Sequence, residues 1–198
     1  MIALYPMAPL AQRVPVDVQS FPSLSLLGET ERLLSLLQRL ASERPDLLGH
    51  GDRTASYAFL LGEALGLGAA DLIHLQYAAL LHDIGQLTLP PGILAKDGPL
   101  TPDEYALVQS HPRAGAALLA PISFLRVPGL WIAHHHERWD GSGYPYGLRG
   151  AFIPLGSRIL AVADTYDAMV SNLTRRPGLG PSAAAAQLRI VAGSQLDP

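Results

Sequence analysis

Asp164 lies inside an apolar, helix-like segment that reads ILAVADTYDAM at residues 159–169. A carboxylate in the middle of such a run is expensive to bury unless a positive charge pairs with it. No Lys or Arg is an obvious partner, because Arg158 lies six residues earlier and on another part of the helix. The chain must therefore fold so that something positive meets Asp164, and a metal ion would meet that requirement.

Histidines and a second aspartate supply further metal-ligating groups. Six of the seven histidines fall at the ends or centres of expected helices, and Asp83 directly follows His82. The chain has no cysteine, which excludes disulfides, zinc fingers, thiol nucleophiles and iron–sulfur centres. Imidazole and carboxylate ligands suit iron, manganese or zinc, and a shared carboxylate such as Asp83 could bridge two ions. Such a pair of ions favours hydrolysis of a phosphate ester.

Each of these residues also has a purely structural interpretation. A single histidine on an apolar helix is usually a hydrogen-bonded core residue, and we assign His74 and His134 to that class. His50 could cap a helix, and Asp164 could accept hydrogen bonds from a loop. Taken together, however, the histidines and aspartates favour a metal centre.

The spacing of apolar residues predicts an all-α fold. From Glu29 onwards, Leu33, Leu34, Leu37 and Leu40 form a stripe with helical spacing. Thr101 followed by Pro102 and Glu104 predicts a capped helix start. The remaining helices are expected at about 48–65, 70–84, 101–119, from Pro128 through the triple histidine, 154–169 and 182–191. No segment alternates as a strand would.

Length and charge indicate one domain that does not bind nucleic acid. The 198 residues carry a net charge of −3, which argues against DNA or RNA as partners. Residues 1–28 hold four prolines and read as an irregular arm before a helical domain at 29–198. No stretch free of charged residues exceeds twelve residues, so no membrane span is expected. The start does not read as a signal peptide, which predicts a cytoplasmic protein.

The order His50, His82-Asp83, Asp164 resembles that of the HD phosphohydrolase superfamily, and longer motifs narrow the resemblance to its HD-GYP group. The motifs are HDIGQLTLP at 82–90, ILAKDGPLTPDEY at 93–105, HPRAG at 111–115, HHERWDGSGYP at 135–145 and ILAVADTYDAM at 159–169. The resemblance covers about residues 46–170 and implies an HD-domain helical bundle. Relatives continue into another helix beyond the position of Pro198.

The resemblance also implies an activity and a set of ligands. Members of this group hydrolyse cyclic di-GMP to pGpG or GMP in bacterial second-messenger signalling, through a hydroxide that bridges two or three iron or manganese ions. Asp46 stands where trinuclear members have a longer glutamate, which argues for two ions rather than three. The family's metal-ligand positions fall on His50, His82, Asp83, His111, His135, His136 and Asp164.

Substrate-contacting positions depart from the family pattern. The family has a lysine after His-Asp-Ile-Gly, whereas this chain has Gln86, whose amide can hydrogen-bond phosphate but brings no charge. We expect Asp83 and Gln86 to act in catalysis and Arg175 and Arg176, displaced by about three residues from the family's basic positions, to contact phosphate. The resemblance implies a structural or partner-contacting role for the loop Gly143-Tyr144-Pro145.

In an alternative hypothesis, the protein binds metal ions but is not an active enzyme. In it, a weak or inactive module binds cyclic di-GMP or a signalling protein, since metal binding also contributes folding energy. A Gln86→Lys variant separates the two hypotheses, because hydrolysis should rise only in an enzyme. A phosphohydrolase of another nucleotide is a third hypothesis, against which the Gly-Tyr-Pro loop and the His135-His136 pair argue. Neither the oligomeric state nor the regulatory input is indicated by the sequence.

Overall fold

The computed structural model describes residues 24–172 and 177–198. Most of the predicted arm at 1–28, together with Arg175 and Arg176, lies outside these residues. The described part is helical and contains no strand, apart from one isolated bridge between Ala192 and Leu196, so the all-α prediction is confirmed. The helices are α1 (Leu24–Glu43), α2 (Pro45–Ala64), α3 (Ala69–Leu81), α4 (Pro102–Gln109), α5 (His111–Leu119), α6 (Arg126–Ala133), α7 (Leu155–Val170) and α8 (Pro181–Val191).

The core lies where α2, α3 and α7 pack against one another. Gly51 permits the close approach of α2 and α3, since a Cβ atom there would lie 2.6 Å from the carbonyl oxygen of Leu80. This contact places the start of α2 beside the end of α3. On α1, Leu40 is fully buried, Leu33 and Leu37 pack against the core, and Leu34 is exposed. The predicted leucine stripe therefore faces the core along most of its length.

The single helix predicted for 101–119 is wrong, because the structure has two. Helix α4 begins with the predicted capping box, in which Thr101 Oγ1 accepts the Glu104 N–H and the Glu104 carboxylate accepts the Thr101 N–H. It ends at Gln109, and α5 starts at His111 with Pro112 in its first turn. Proline has no N–H to donate and clashes with the preceding turn, so the two helices cannot merge. The break places His111 at a helix start.

The helix expected to run through the triple histidine is also shorter than predicted. Helix α6 ends at Ala133, and the histidines follow in a turn. The carbonyl oxygen of Ile132 accepts both the backbone N–H and the ring Nδ1–H of His135, at 3.4 and 2.7 Å. These local bonds replace the hydrogen bonds of a continuing helix.

Among the described residues, no helix is both long and apolar enough to cross a membrane.

Candidate metal centre

Three of the predicted ligands are anchored to the backbone in the same way. His82, His111 and His135 each contact, through ring Nδ1, the carbonyl oxygen three residues earlier, at 2.8, 2.7 and 2.7 Å. A carbonyl oxygen can only accept, so Nδ1 carries the proton and Nε2 presents a lone pair. The three side chains are almost fully buried. This is the arrangement by which a second bond fixes the tautomer of a metal-binding histidine.

His50, His82 and Asp164, here called the His50 group, meet where α2, α3 and α7 converge. Nε2 of His50 lies 3.2 Å from Nε2 of His82 and 3.1 Å from Oδ1 of Asp164. The His82 Nε2 atom lies 3.8 Å from the same carboxylate oxygen. Two imidazoles and a carboxylate thus point ligand atoms at one small volume.

His111, His135 and His136, here called the His136 group, form a second cluster of ligand atoms. Their rings contact one another edge-on or tilted, with centroid separations of 4.0 to 5.3 Å. Nε2 of His111 and Nε2 of His135 are buried and find no hydrogen-bond partner among the described residues. A buried nitrogen lone pair without a donor is costly, and a divalent cation would satisfy both at once. The residues present therefore fit a metal ion.

Asp83 lies between the two groups. Its Oδ1 atom is 3.2 Å from Nε2 of His111, and its Oδ2 atom is 3.5 Å from Nε2 of His82. Gly85 makes this position accessible, because a Cβ atom there would lie 1.9 Å from the carbonyl oxygen of His111. The turn after Asp83 can therefore press against the start of α5. Each oxygen of the carboxylate faces a different cluster, which is the geometry a bridging ligand needs.

Protonation differs between the two groups. Burial acts to lower the pKa of His50, but its hydrogen bonds to Asp164 and Asp167 raise the pKa to about 10. Burial and the neighbouring His111 lower the pKa of His136 to about 4. Burial acts to raise the pKa of Asp83, but the surrounding imidazoles hold it well below its usual range. The His136 side chain is thus neutral at physiological pH, near the ionised carboxylate of Asp83.

The sequence prediction missed the residues that hold His50. Asp167 is fully buried and accepts the Nδ1–H of His50 at 2.7 Å. It also accepts two hydrogen bonds from the guanidinium of Arg53, at 2.8 and 2.9 Å. Arg53 lies three residues after His50, and Asp167 three after Asp164, so helical spacing carried the signal. Such partners orient metal-binding histidines and raise their basicity.

Glu137, also missed, ties the Gly143-Tyr144-Pro145 loop to the centre. Its buried carboxylate accepts the backbone N–H groups of Tyr146 and Leu148, at 2.8 and 3.0 Å. The Tyr144 ring lies against the His136 ring, with centroids 4.9 Å apart. At Gly143 a Cβ atom would lie 2.3 Å from the backbone nitrogen of Arg138. The loop therefore packs onto the His136 turn, which supports its structural interpretation.

The structure does not bring the other predicted residues into the clusters. The carboxylate of Asp46 accepts hydrogen bonds from Arg44 Nε and Nη2, at 3.0 and 2.7 Å, and is largely exposed. Gln86 lies one turn after Asp83 and contacts Arg44. His74 and His134, assigned to the core, belong to neither group. A cleft of about 460 Å³ opens beside His135, His136 and Asp164, with Tyr144 on its wall.

Comparisons with known proteins agree with this geometry. The family model for the HD domain matches residues 35–198. The cyclic di-GMP phosphodiesterase response regulator RpfG of Xanthomonas campestris is 42% identical over 149 residues, which are 74% of this chain and 39% of that protein. The 3'3'-cGAMP-specific phosphodiesterase 1 of Vibrio cholerae is 41% identical over 120 residues, covering 61% of this chain and 28% of that protein.

A solved structure shares the fold. Bd1817, an HDG"Y"P protein from Bdellovibrio bacteriovorus, aligns with a TM-score of 0.61 and 24% sequence identity, over 75% of this chain and 48% of that one. The chain spans less than half the length of the curated relatives named above. The family model covers most of the chain, and the described His/Asp groups could bind metal, on which HD-domain phosphohydrolases depend. The chain therefore belongs to the HD domain family and is of its HD-GYP type.

Proposed function

We propose that this chain is a metal-dependent phosphodiesterase that hydrolyses cyclic di-GMP to pGpG or GMP in bacterial second-messenger signalling. The observation that carries the proposal is the position of Asp83, whose two oxygens face the two ligand clusters. Two similar proteins bear names that specify phosphodiesterases of cyclic dinucleotides. A pair of divalent ions supplies a hydroxide nucleophile near neutral pH and neutralises charge on a phosphodiester.

The ligands divide between two ions, for which we propose iron or manganese. The His50 group would hold one ion and the His136 group the other, with Asp83 shared. Nitrogen and oxygen ligands without sulfur suit either metal. The Arg44 guanidinium engages Asp46, which supports two ions rather than three.

The protein's own contribution is to hold the ligand rings in one orientation. Backbone carbonyls fix the rings of His82, His111 and His135 with Nε2 facing inwards. Asp167 does the same for His50 from the side of α7. Because these bonds are formed before substrate binds, little reorganisation is needed when the phosphodiester meets the centre.

A second candidate function is a module that binds cyclic dinucleotides without cleaving them. The observation in its favour is Gln86, which brings no charge towards a substrate phosphate. The two functions differ in products and not in metal content. Metal analysis by itself therefore does not distinguish them.

The test combines metal analysis with product analysis. Anaerobically purified protein, loaded with iron or manganese, is incubated with cyclic di-GMP or 3'3'-cGAMP, and the products are separated by chromatography. We expect two metal ions per chain and release of pGpG or GMP. Metal binding with both dinucleotides left intact would favour the binding module. Preferential cleavage of 3'3'-cGAMP would indicate that this dinucleotide, and not cyclic di-GMP, is the substrate.

A further inference from the structure

A second cleft, of about 590 Å³, lies beside the segment that follows Asp83. Its floor is apolar, formed by Leu87 and residues 89–95, and its polar edge consists of Glu43, Arg44, Asp46 and Gln86. None of the predicted histidine ligands lines it. The cleft therefore offers one cation and one amide next to the centre without belonging to the ligand set.

The backbone fixes both polar residues near the centre. Gln86 lies in the short 3-10 helix Ile84–Thr88, and its N–H donates to the carbonyl oxygen of Asp83 at 2.9 Å. Arg44 lies at the junction of α1 and α2, where its N–H donates to Leu40 and its carbonyl accepts from Leu47. The Arg44 Nη1 atom donates to Oε1 of Gln86 at 2.8 Å. The Arg44 guanidinium, at the junction of α1 and α2, is thus held beside Gln86, three residues after Asp83.

The hydrogen-bond donors of this edge are only partly used. Asp46 accepts from Nε and Nη2 of Arg44, and Gln86 accepts from Nη1. Three of the five guanidinium N–H groups are occupied by these described residues, and two remain. Because Oε1 of Gln86 faces Arg44, its NH2 group points away with two further donors. The edge therefore presents unused N–H donors of Arg44 and Gln86 to the cleft, while the carboxylates of Glu43 and Asp46 are paired with Arg39 and Arg44.

Three other arginines are already bound to neighbouring side chains. Arg53 is bound to Asp167 beneath His50. Arg138 contacts Asp140 and Ser142, and Arg158 pairs with Asp197. An anionic substrate at the centre needs a positive partner, and a planar guanidinium matches the oxygens of a phosphate. Among the described residues, Arg39 and Arg44 both contact the turn after Asp83. Arg39 is paired with Glu43 and contacts only the Leu87 carbonyl, at 3.5 Å, whereas Arg44 contacts the side chain of Gln86, at 2.8 Å.

We propose that Arg44 binds a phosphate of the substrate and that Gln86 is the residue that positions it. The inference rests on the proposed function for the identity of the substrate, a cyclic dinucleotide. The side-chain oxygen Oε1 of Gln86 accepts a hydrogen bond from the Arg44 guanidinium, which the ammonium group of a lysine at that position could not do. A lysine at position 86 would instead repel Arg44, so Gln86→Lys is expected to weaken substrate binding rather than to raise hydrolysis.

The test uses the metal-loaded full chain and five variants: R44Q, Q86L, Q86K, the double variant R44Q/Q86L, and R32Q as a charge-matched control on the exposed face of α1. KM and kcat are measured with cyclic di-GMP, and Kd with its non-hydrolysable phosphorothioate analogue. We expect R44Q to raise KM and Kd roughly ten- to a hundredfold, because a hydrogen bond to a charged group is lost. We expect kcat, metal content and the R32Q values to stay near those of the wild type.

The double variant tests whether Gln86 acts through Arg44. Q86L should raise KM less than R44Q does, and R44Q/Q86L should be no worse than R44Q, since the second change removes a partner that is already gone. The exposed Arg44–Asp46 pair contributes little to stability, so the variants should fold, which thermal melting checks. Additive effects of the two substitutions would overturn the positioning role of Gln86.

Failure of this inference is distinguishable from failure of the proposed function. If R44Q hydrolyses cyclic di-GMP with the wild-type KM, the inference is wrong and the phosphodiesterase stands. If the wild type binds the analogue without cleaving cyclic di-GMP, and R44Q loses that binding, the proposed function is wrong and the inference stands. A lower KM in Q86K, or loss of metal from R44Q, would also overturn it.

Discussion

The two ligand clusters are held by different kinds of partner. In the His50 group, charged side chains hold His50: Asp164 faces its Nε2 atom, and Asp167, backed by Arg53, accepts its Nδ1–H. In the His136 group, the backbone carbonyls of Val108 and Ile132 hold His111 and His135, as the carbonyl of Ala79 holds His82. His50 is therefore fixed by ionisable groups from α2 and α7, whereas His82, His111 and His135 are fixed by the main chain.

The difference predicts unequal behaviour at the two positions. A carboxylate partner makes an imidazole more basic, whereas burial among other imidazoles makes it less so. The pKa values follow this rule, raised to about 10 at His50 and lowered to about 4 at His136. An ion that binds His50 must therefore displace its proton, whereas an ion that binds His136 need not displace one there.

The Asp83→Asn substitution should have the largest effect, because it alters both clusters together. An amide offers one oxygen where the carboxylate offers two, so the link between the clusters is lost. We expect hydrolysis of cyclic di-GMP to fall by roughly a hundredfold or more, with metal lost from both positions. Metal analysis and initial rates measure this, with exposed Asp52→Asn as the matched control. Full activity in D83N would contradict the bridging role.

A change in pH should separate the clusters more sharply than a substitution does. His50, with its raised pKa of about 10, holds a proton throughout the physiological range, so each unit of falling pH should weaken binding there by up to about tenfold. His136, with its pKa of about 4, is already neutral above pH 5, so binding there should change little. Competition with a chelator at pH 6 and pH 8 measures the metal affinity of both groups. Equal pH dependence of the two affinities would contradict the predicted difference between the groups.

The Asp167→Asn substitution should weaken only the His50 group. The amide still fits the buried site, but it no longer offers Arg53 and His50 an ionised partner. Loss of such a partner costs about ten- to a hundredfold in metal affinity or activity. The weaker of two metal-binding steps should fall by this factor while the other is unchanged, as read by calorimetric titration. A uniform loss at both positions would indicate general unfolding instead.

Sequence reasoning identified the candidate ligands that lie together in the structure more readily than the residues that support them. Asp164 could be singled out because a carboxylate in an apolar helix is costly to bury without a positive partner. The family motifs then identified the histidines as further candidate ligands. The same cost applies to Asp167 three residues later, but its partner Arg53 lies more than a hundred residues away in the chain and only the fold joins them.

Local signals predicted some boundaries and not others. The capping box at Thr101 depends on residues three apart, and it forms as expected. The ends of α4 and α6 depend on Pro112 and on ring-to-carbonyl bonds of the turn, which periodicity of apolar residues does not register. The contact between Gln86 and Arg44 could not be predicted from local patterns either, because Arg44 lies 42 residues earlier, at the junction of α1 and α2.

The smallest expected effect concerns the loop beside the His136 group. In Glu137→Gln, one side-chain oxygen must serve two backbone N–H groups, those of Tyr146 and Leu148, so one of them loses its partner. An unpaired buried donor costs about 1–3 kcal/mol, and the loop should loosen from the His136 ring. We expect a lower melting temperature and several-fold weaker metal binding at the His136 group, while the metal affinity of the His50 group is unchanged. Because Glu137 touches no atom of the His50 group among the described contacts, a loss at both positions would show that the clusters are coupled through the fold and not only through Asp83.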